Sequence, residues 1–276
     1  MNQSASSLSS YADSARVGVS RIHASALTGS FQEDHVAEET PIALEYNGIS
    51  YATMLATPTD LEDFALGFSL TEGIINRPSD VRGIELRPER NGIVVELEIS
   101  SACAMHLRER RRAMAGRTGC GLCGVESLPE VLREIPPVTA TAALSARIAL
   151  HAMSMMRTRQ SLHRLTGATH AAGWAGFDGH LEFVREDVGR HNALDKLVGA
   201  LVRSDRDAAT GMVLVSSRAS FEMVHKAASA GAGLLAAVSA PTALAIRTAK
   251  QVNLTLLGFM RQDDAVIYSH PERIIS

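Results

Sequence analysis

The chain has 276 residues, 46% of them hydrophobic and 21% charged, with a formal net charge of −3 at neutral pH. A chain of that length builds its own core without disulfides or metal, and its charge gives it no general affinity for nucleic acid or a membrane surface. No apolar run approaches the roughly 20 residues of a membrane helix. The first twenty residues lack the basic-then-apolar pattern of a secretory signal. Three cysteines, Cys103, Cys120 and Cys123, are no disulfide framework, so a reducing cytoplasmic compartment is expected.

Residues 1–25, rich in Ser and Ala and without a period, are expected to form a disordered tail. An N-terminal α+β domain is expected over 26–137. Apolar alternation at 42–46 and 49–55 around Asn47-Gly48 reads as a hairpin. Thr59 and Glu62 form a capping box opening a helix through Thr71, stopped by Gly73. Strands at 82–87 and 93–99 flank Asn91-Gly92, and a short helix covers 105–114. The loop 115–124 follows, and Pro136-Pro137 marks a domain boundary. A C-terminal α/β domain is expected over 138–276. It begins with a long helical stretch at 141–165 that places Leu144, Ile148, His151, Met155 and Leu162 on one face. Strands near 168–173, 181–185, 212–215, 234–238, 254–259 and 265–268 follow, with helices at 192–202, 221–230 and 243–251. That alternation argues for an α/β layer with partly parallel strands.

Two groups of residues carry chemistry. The first is Gly119-Cys120-Gly-Leu-Cys123-Gly124, preceded by Arg108, Arg110, Arg111, Arg112 and Arg117. Glycines leave the backbone uncrowded, nearby cations enrich the thiolate, and a second cysteine three positions on can resolve or share a persulfide. Structural zinc, with Cys103 and His106 completing the ligands, and a thioredoxin-type dithiol are the competing readings. Cys103 alone reads as a small packed residue.

The second group is three strand-to-helix junctions. Asp187, Gly189, Arg190, His191 and Asn192 occupy one, Ser216-Ser217-Arg218-Ala-Ser220 the next, and Ser239-Ala-Pro241-Thr242 the third. Free N–H groups at a helix start suit an anion, and ligands of open α/β sheets sit at the carboxyl ends of strands. Simple N-capping is the alternative at each. Glu222 and His225, at i and i+3, read as a surface pairing.

Gly116 through Ser127, Arg185 through Lys196, Ser216 through Lys226, Val238 through Ile246, and Thr71-Glu-Gly-Ile-Ile75 together resemble the formate dehydrogenase accessory sulfurtransferase family (the FdhD type). The resemblance runs from about Glu38 to about Tyr268. It implies a persulfide carrier at Cys120 with Cys123 as partner, a cysteine desulfurase as donor, and formate dehydrogenase as beneficiary. The implied sulfur acceptor is the molybdenum of a bis-molybdopterin guanine dinucleotide, bound partly through Phe259, Met260, Arg261, Gln262, Asp263 and Asp264. It also implies a homodimer with a cytidine-deaminase-like C-terminal domain. The His-x-Glu zinc signature of true deaminases is not present beside a partnered CxxC, so deamination is not expected. Arg190, Arg218 and Arg261 are the phosphate partners in this reading. A non-enzymatic chaperone for the same cofactor is the alternative.

Overall fold

The computed structural model describes residues 11–23, 26–115, 135–139 and 143–275. Cys120 and Cys123 lie outside the described residues.

The first elements depart from expectation. β1 (Ser14–His23) pairs antiparallel with β2 (Ala26–Ala37) in a two-stranded ribbon, so residues 14–23 are a strand and not part of a disordered tail. Main-chain ladders form on any sequence with a partner in register, and composition does not reveal the partner. Next come β3 (Thr40–Tyr46) and β4 (Ile49–Ala56), turned at Asn47-Gly48, where both residues have positive φ. After helix α1 (Leu61–Thr71), β5 (Val81–Glu89) and β6 (Gly92–Ile99) complete a four-stranded sheet of order β4-β3-β6-β5. Its inner face buries Ile42, Leu44, Tyr46, Ile93, Val95, Leu97 and Ile99 against Phe64 and Leu61 of α1 and Cys103 and Leu107 of α2 (Ser101–Ala115). Alternate residues face one side of a strand, which fixes this register.

The capping box is not realised. Asp60, not Thr59, caps α1, with left-handed φ of 53° and no side-chain cap bond. Its carboxylate lies 3.6 Å from the Arg185 guanidinium instead.

In the second half, β7 (Leu144–Ser145) leads into α3 (Ala146–Arg159), which breaks at Gln160 before the short α4 (Ser161–Thr166). The expected continuous helix is thus two; of its expected face Leu144 and Leu162 are buried and Ile148 packs against the core, but His151 is exposed and Met155 is 40% exposed, and α3 instead buries Ala149, Ala152, Met153 and Met156. Alanines let a helix lie close on a sheet, and a count of large apolar residues overlooks them. The sheet beneath is built from β8 (His170–Gly176), β9 (Leu181–Asp187), β10 (Gly211–Val215), β11 (Leu234–Ala237), β12 (Thr255–Arg261) and β13 (Asp264–Ser269), in the order β13-β12-β11-β10-β8-β9. The short β14 (Ile274–Ile275) pairs with β7. Every residue of β10 and β11 is buried, as a sheet covered on both faces requires. Met212, Leu214, Leu234 and Ala236 face α3. Val213, Val215, Leu235 and Ala237 face the helices α5 (Arg190–Arg203), α6 (Phe221–Ser229) and α7 (Ala243–Gln251). β10, β11 and β12 are parallel, and β8 runs antiparallel to both β9 and β10. The carboxyl ends of β9, β10, β11 and β12 therefore share one edge. No helix among the described residues is long and apolar enough to cross a membrane.

α1 joins the two sheets by crossing α5. A Cβ on Gly67 would collide with the Asp195 carbonyl oxygen, and one on Gly199 with the Asp63 carbonyl oxygen. The helices touch backbone to backbone, which only glycine permits. Gly67→Ala should therefore destabilise the protein by about 3 kcal/mol or more, as overpacking at a rigid contact does. Gly83→Ala, with nothing within 4 Å of its new Cβ, should stay within about 0.5 kcal/mol of wild type. Urea denaturation of the two variants measures the difference.

Candidate functional site

The carboxyl edge gathers all three junctions. Ala219 and Pro241 form a parallel bridge, and Thr242 N–H donates to the Ala219 carbonyl at 3.1 Å. Phe259 N–H reaches the Ser239 carbonyl at 3.3 Å, which ties the β12–β13 turn to the third junction. Phe259 holds a left-handed φ of 51°, and its ring lies under the Arg261 guanidinium at 5.8 Å. Met260 is fully buried, whereas Arg261, Gln262, Asp263 and Asp264 are exposed.

At the first junction the polar residues divide. Asp187 is fully buried. Its Oδ1 accepts from Gly189 N–H (2.8 Å) and Asn192 Nδ2 (3.0 Å), and its Oδ2 from Thr57 N–H (3.0 Å) and Lys196 Nζ (2.7 Å). Asn192 Nδ2 also donates to the Leu55 carbonyl and Lys196 Nζ to the Thr57 carbonyl, both at 2.9 Å. Asp187, Asn192 and Gly189 thus brace the junction against the segment before α1. Burial pulls the Lys196 ammonium below its ordinary pKa, with Asp187 opposing. Leu55 and Thr57 were not read from the sequence, because nothing local to them signals a partner 130 positions away.

Arg190 and His191 are turned differently. Arg190 Nε is buried without a hydrogen-bond partner. His191 Nε2 lies 2.7 Å from Glu222 Oε2, outside hydrogen-bond geometry. Burial pushes the His191 pKa down, Glu222 draws it back up, and the positive charges of Arg190 and Lys226 add to the fall. Glu222 therefore pairs across to α5, and His225 stacks instead on Phe221 at 5.5 Å. His170, at the start of β8, is a member that sequence reading missed. Burial lowers its pKa first, then the charges of Arg190 and His163, with Asp187 opposing. Its signal was the pairing of His170 with Asp187 across β8 and β9.

At the second junction Ser216 Oγ accepts from Ala171 N–H at 2.8 Å, Ser217 Oγ donates to the Arg218 carbonyl at 3.0 Å, and Arg218 is exposed. Ser220 stands at the N-cap of α6, yet makes no cap bond, and its buried Oγ has no partner. At the third, Thr242 Oγ1 accepts from Ala245 N–H at 3.2 Å, which is ordinary capping. Capping thus accounts for Thr242 and leaves Arg190 and Ser220 with unmet hydrogen-bonding capacity. Buried polar groups without partners are rare and costly, and with His191 Nε2 three stand at this one strand-end edge, which makes it the candidate ligand site.

Beneath this edge Lys226 Nζ donates to Thr71 Oγ1 (2.9 Å), Glu72 Oε1 (2.8 Å) and both Asp195 oxygens (3.0 Å each), and Thr71 Oγ1 donates onward to Asp195 Oδ1 at 2.7 Å. Burial raises the Asp195 pKa to about 6, with Lys226 opposing. The anionic partners hold the Lys226 ammonium above its ordinary value against the pull of its own burial. Cys103 is buried and packed, and His106 on the same helix is exposed. Among the described residues no group of three or more His, Cys, Asp or Glu could hold a metal ion.

The mixed-sheet α/β fold places these polar groups at its strand-end edge, where α/β proteins bind ligands, and comparison narrows the class. The FdhD/NarQ family model matches residues 37–275, and the chain belongs to that family. It is 66% identical to the sulfur carrier protein FdhD of Bordetella petrii, over 95% of this chain and 94% of that one. It is 59% identical to the protein of the same name from Cupriavidus necator, over 87% of this chain and 84% of that one. In three dimensions it is similar to a crystal structure from Desulfotalea psychrophila, of a protein designated a formate dehydrogenase accessory protein. The TM-score is 0.78 at 24% identity, covering 96% of this chain and all of that one.

Lys226→Met would leave Asp195 buried beside Glu72 without its cation, so the variant should lose about 3–5 kcal/mol at neutral pH. Asp195 has a folded pKa raised above its model value of 3.8 to about 6. The folded state thus binds that proton more tightly, and the stability Asp195 gives is largest when it is protonated and falls as pH rises through this window. The Lys226→Met deficit should shrink on acidification, which urea melts at about pH 8 and about pH 5 would read.

Proposed function

We propose that this protein is a cytoplasmic sulfurtransferase, working as a homodimer, that carries sulfur on Cys120 and delivers it to a molybdenum cofactor destined for formate dehydrogenase. The observation that carries the reading is family membership over residues 37–275, a span that brackets Cys120 and Cys123. Relatives that are 66% and 59% identical are named sulfur carriers.

The first step is thiol–persulfide exchange with a cysteine desulfurase. The Cys120 thiolate attacks the terminal sulfur of the donor's persulfide, the donor S–S bond breaks, and the donor cysteine leaves as a thiolate. A new S–S bond now holds the sulfur on Cys120. Cys123 can share it by the same exchange. The arginines that precede the motif favour the thiolate.

The receiving substrate, bis-molybdopterin guanine dinucleotide, carries several phosphates. Arg190 Nε and Ser220 Oγ, both buried and unpartnered, offer it donors at the strand ends, and the exposed Arg218 and Arg261 add charge. Holding the persulfide against the metal centre supplies much of the rate through proximity.

Incubation with an active cysteine desulfurase and cysteine should add one sulfur, about 32 Da, to the wild-type protein, as persulfide chemistry on a thiolate requires. Intact-mass spectrometry should show that gain lost in Cys120→Ala. Absence of any gain on wild-type protein would replace this reading with a non-enzymatic cofactor chaperone. In that case Cys120→Ala would leave formate dehydrogenase maturation intact.

A further inference from the structure

His191 is the second residue of α5 and Glu222 the second of α6, so their side chains meet where both helices begin. His191 Nε2 lies 2.7 Å from Glu222 Oε2. That nitrogen is buried and the contact misses hydrogen-bond geometry, so the two groups touch without the directed bond that would lock them together. The Glu222 side chain is 59% exposed and that of His191 32%. Glu222 can therefore turn out into water while His191 stays in the wall. Lys226, one turn further along α6, is committed to Thr71, Glu72 and Asp195. Two donors close by hold nothing: Arg190 Nε, one residue before His191, and Ser220 Oγ, two before Glu222, are both buried and unpartnered.

We infer that the Glu222 carboxylate occupies the place of the ligand's anionic group and must leave His191 before that group can bind. A carboxylate and a phosphate are acceptors for the same donors. Glu222 reaches the imidazole alone and leaves Arg190 Nε and Ser220 Oγ unmet. A phosphate has more oxygens and more charge, so it can serve several of these donors at once and offset the loss of the Glu222 contact. An anion that engages only the exposed Arg218 and Arg261 leaves Glu222 where it is. Glu222 is thus a specificity-determining residue, which sets the charge and reach a ligand needs to enter. The inference rests on the proposed cargo carrying phosphates, and adds that the free edge holds a competing anion of its own.

Titration calorimetry with inorganic pyrophosphate on the intact protein tests it. Glu222→Gln should bind pyrophosphate at least about fivefold more tightly than wild type, the factor by which a like charge about 4 Å away weakens an anion even with the screening of bulk water. Glu222→Asp, one methylene short of His191, should gain affinity by a smaller factor. Adding His191→Ala to Glu222→Gln should remove the gain, because the freed imidazole is the donor the anion takes. Glu272 is comparably exposed and lies beside Arg273, which bonds the Asn253 carbonyl ahead of β12, at the opposite end of that strand. Glu272→Gln should leave the affinity at the wild-type value, since exposed charges so far apart are screened. Thermal melts matching wild type would show each fold intact. No pyrophosphate binding by any of these proteins, or an equal gain in Glu272→Gln, overturns the inference. So does an affinity in Glu222→Gln no higher than wild type, or in Glu222→Asp should the glutamine variant fail to fold. Sulfur loading of the wild-type protein, read separately by mass, keeps the two readings apart. Loading without a gain in the Glu222 variants removes the competing carboxylate alone, and the gain without loading removes the transferase alone.

Discussion

The contact between α1 and α5 holds this molecule to one arrangement. Gly67 and Gly199 bring the two helix backbones together, and each side of the crossing carries a buried carboxylate. Asp63, 4% exposed, accepts from Arg185 of β9 at 2.8 and 2.9 Å and from Arg203 of α5 at 2.9 Å. Asp195 is held by Lys226 of α6. One helix of the first half is thereby fixed to a strand and two helices of the second. Since α5 begins at Arg190, the position of the first strand-end junction is set by the same contact.

The buried charges explain which polar residues serve the fold and which remain available. A buried charge needs several partners to repay its lost hydration. Asp187 collects four donors, and in doing so it consumes Asn192, Gly189 and Lys196. Arg190, next in the chain to a residue so occupied, keeps its Nε without a partner. Glu222, which would otherwise add a free negative charge to the edge, is drawn to His191. Arg190, Arg218 and Arg261 thus supply positive charge at this edge, the character an anionic ligand requires, beside the exposed carboxylates of Asp263 and Asp264 on its β12–β13 turn.

Much of this architecture was legible before any coordinates. The Asn47-Gly48 hairpin and the strand–helix rhythm of the second half follow from short-range pattern, and both are present. The parts that were not legible depend on distant partners. The β1–β2 ribbon is specified by pairing and not by composition. The inward face of α3 pairs Met153 and Met156 with Ala149 and Ala152, small residues that periodicity weighs lightly. Asp187 and Arg190 are three residues apart and look alike as site residues in sequence. Only Thr57 and Leu55, brought in by the α1 packing, separate a brace from a candidate ligand contact.

The antiparallel insertion of β8 between β9 and β10 also sets a ruler along the carboxyl edge. Adjacent strands are spaced about 4.8 Å apart, so β10, β11 and β12 present their ends in single steps, whereas β9 and β10 stand two steps apart, near ~10 Å. The strand in the gap arrives by its amino end, with His170 at its start. The edge is thus a comb with one missing tooth. Between the Arg190 and Ser220 junctions stands His170, whose pKa is lowered by burial and by the charge of Arg190.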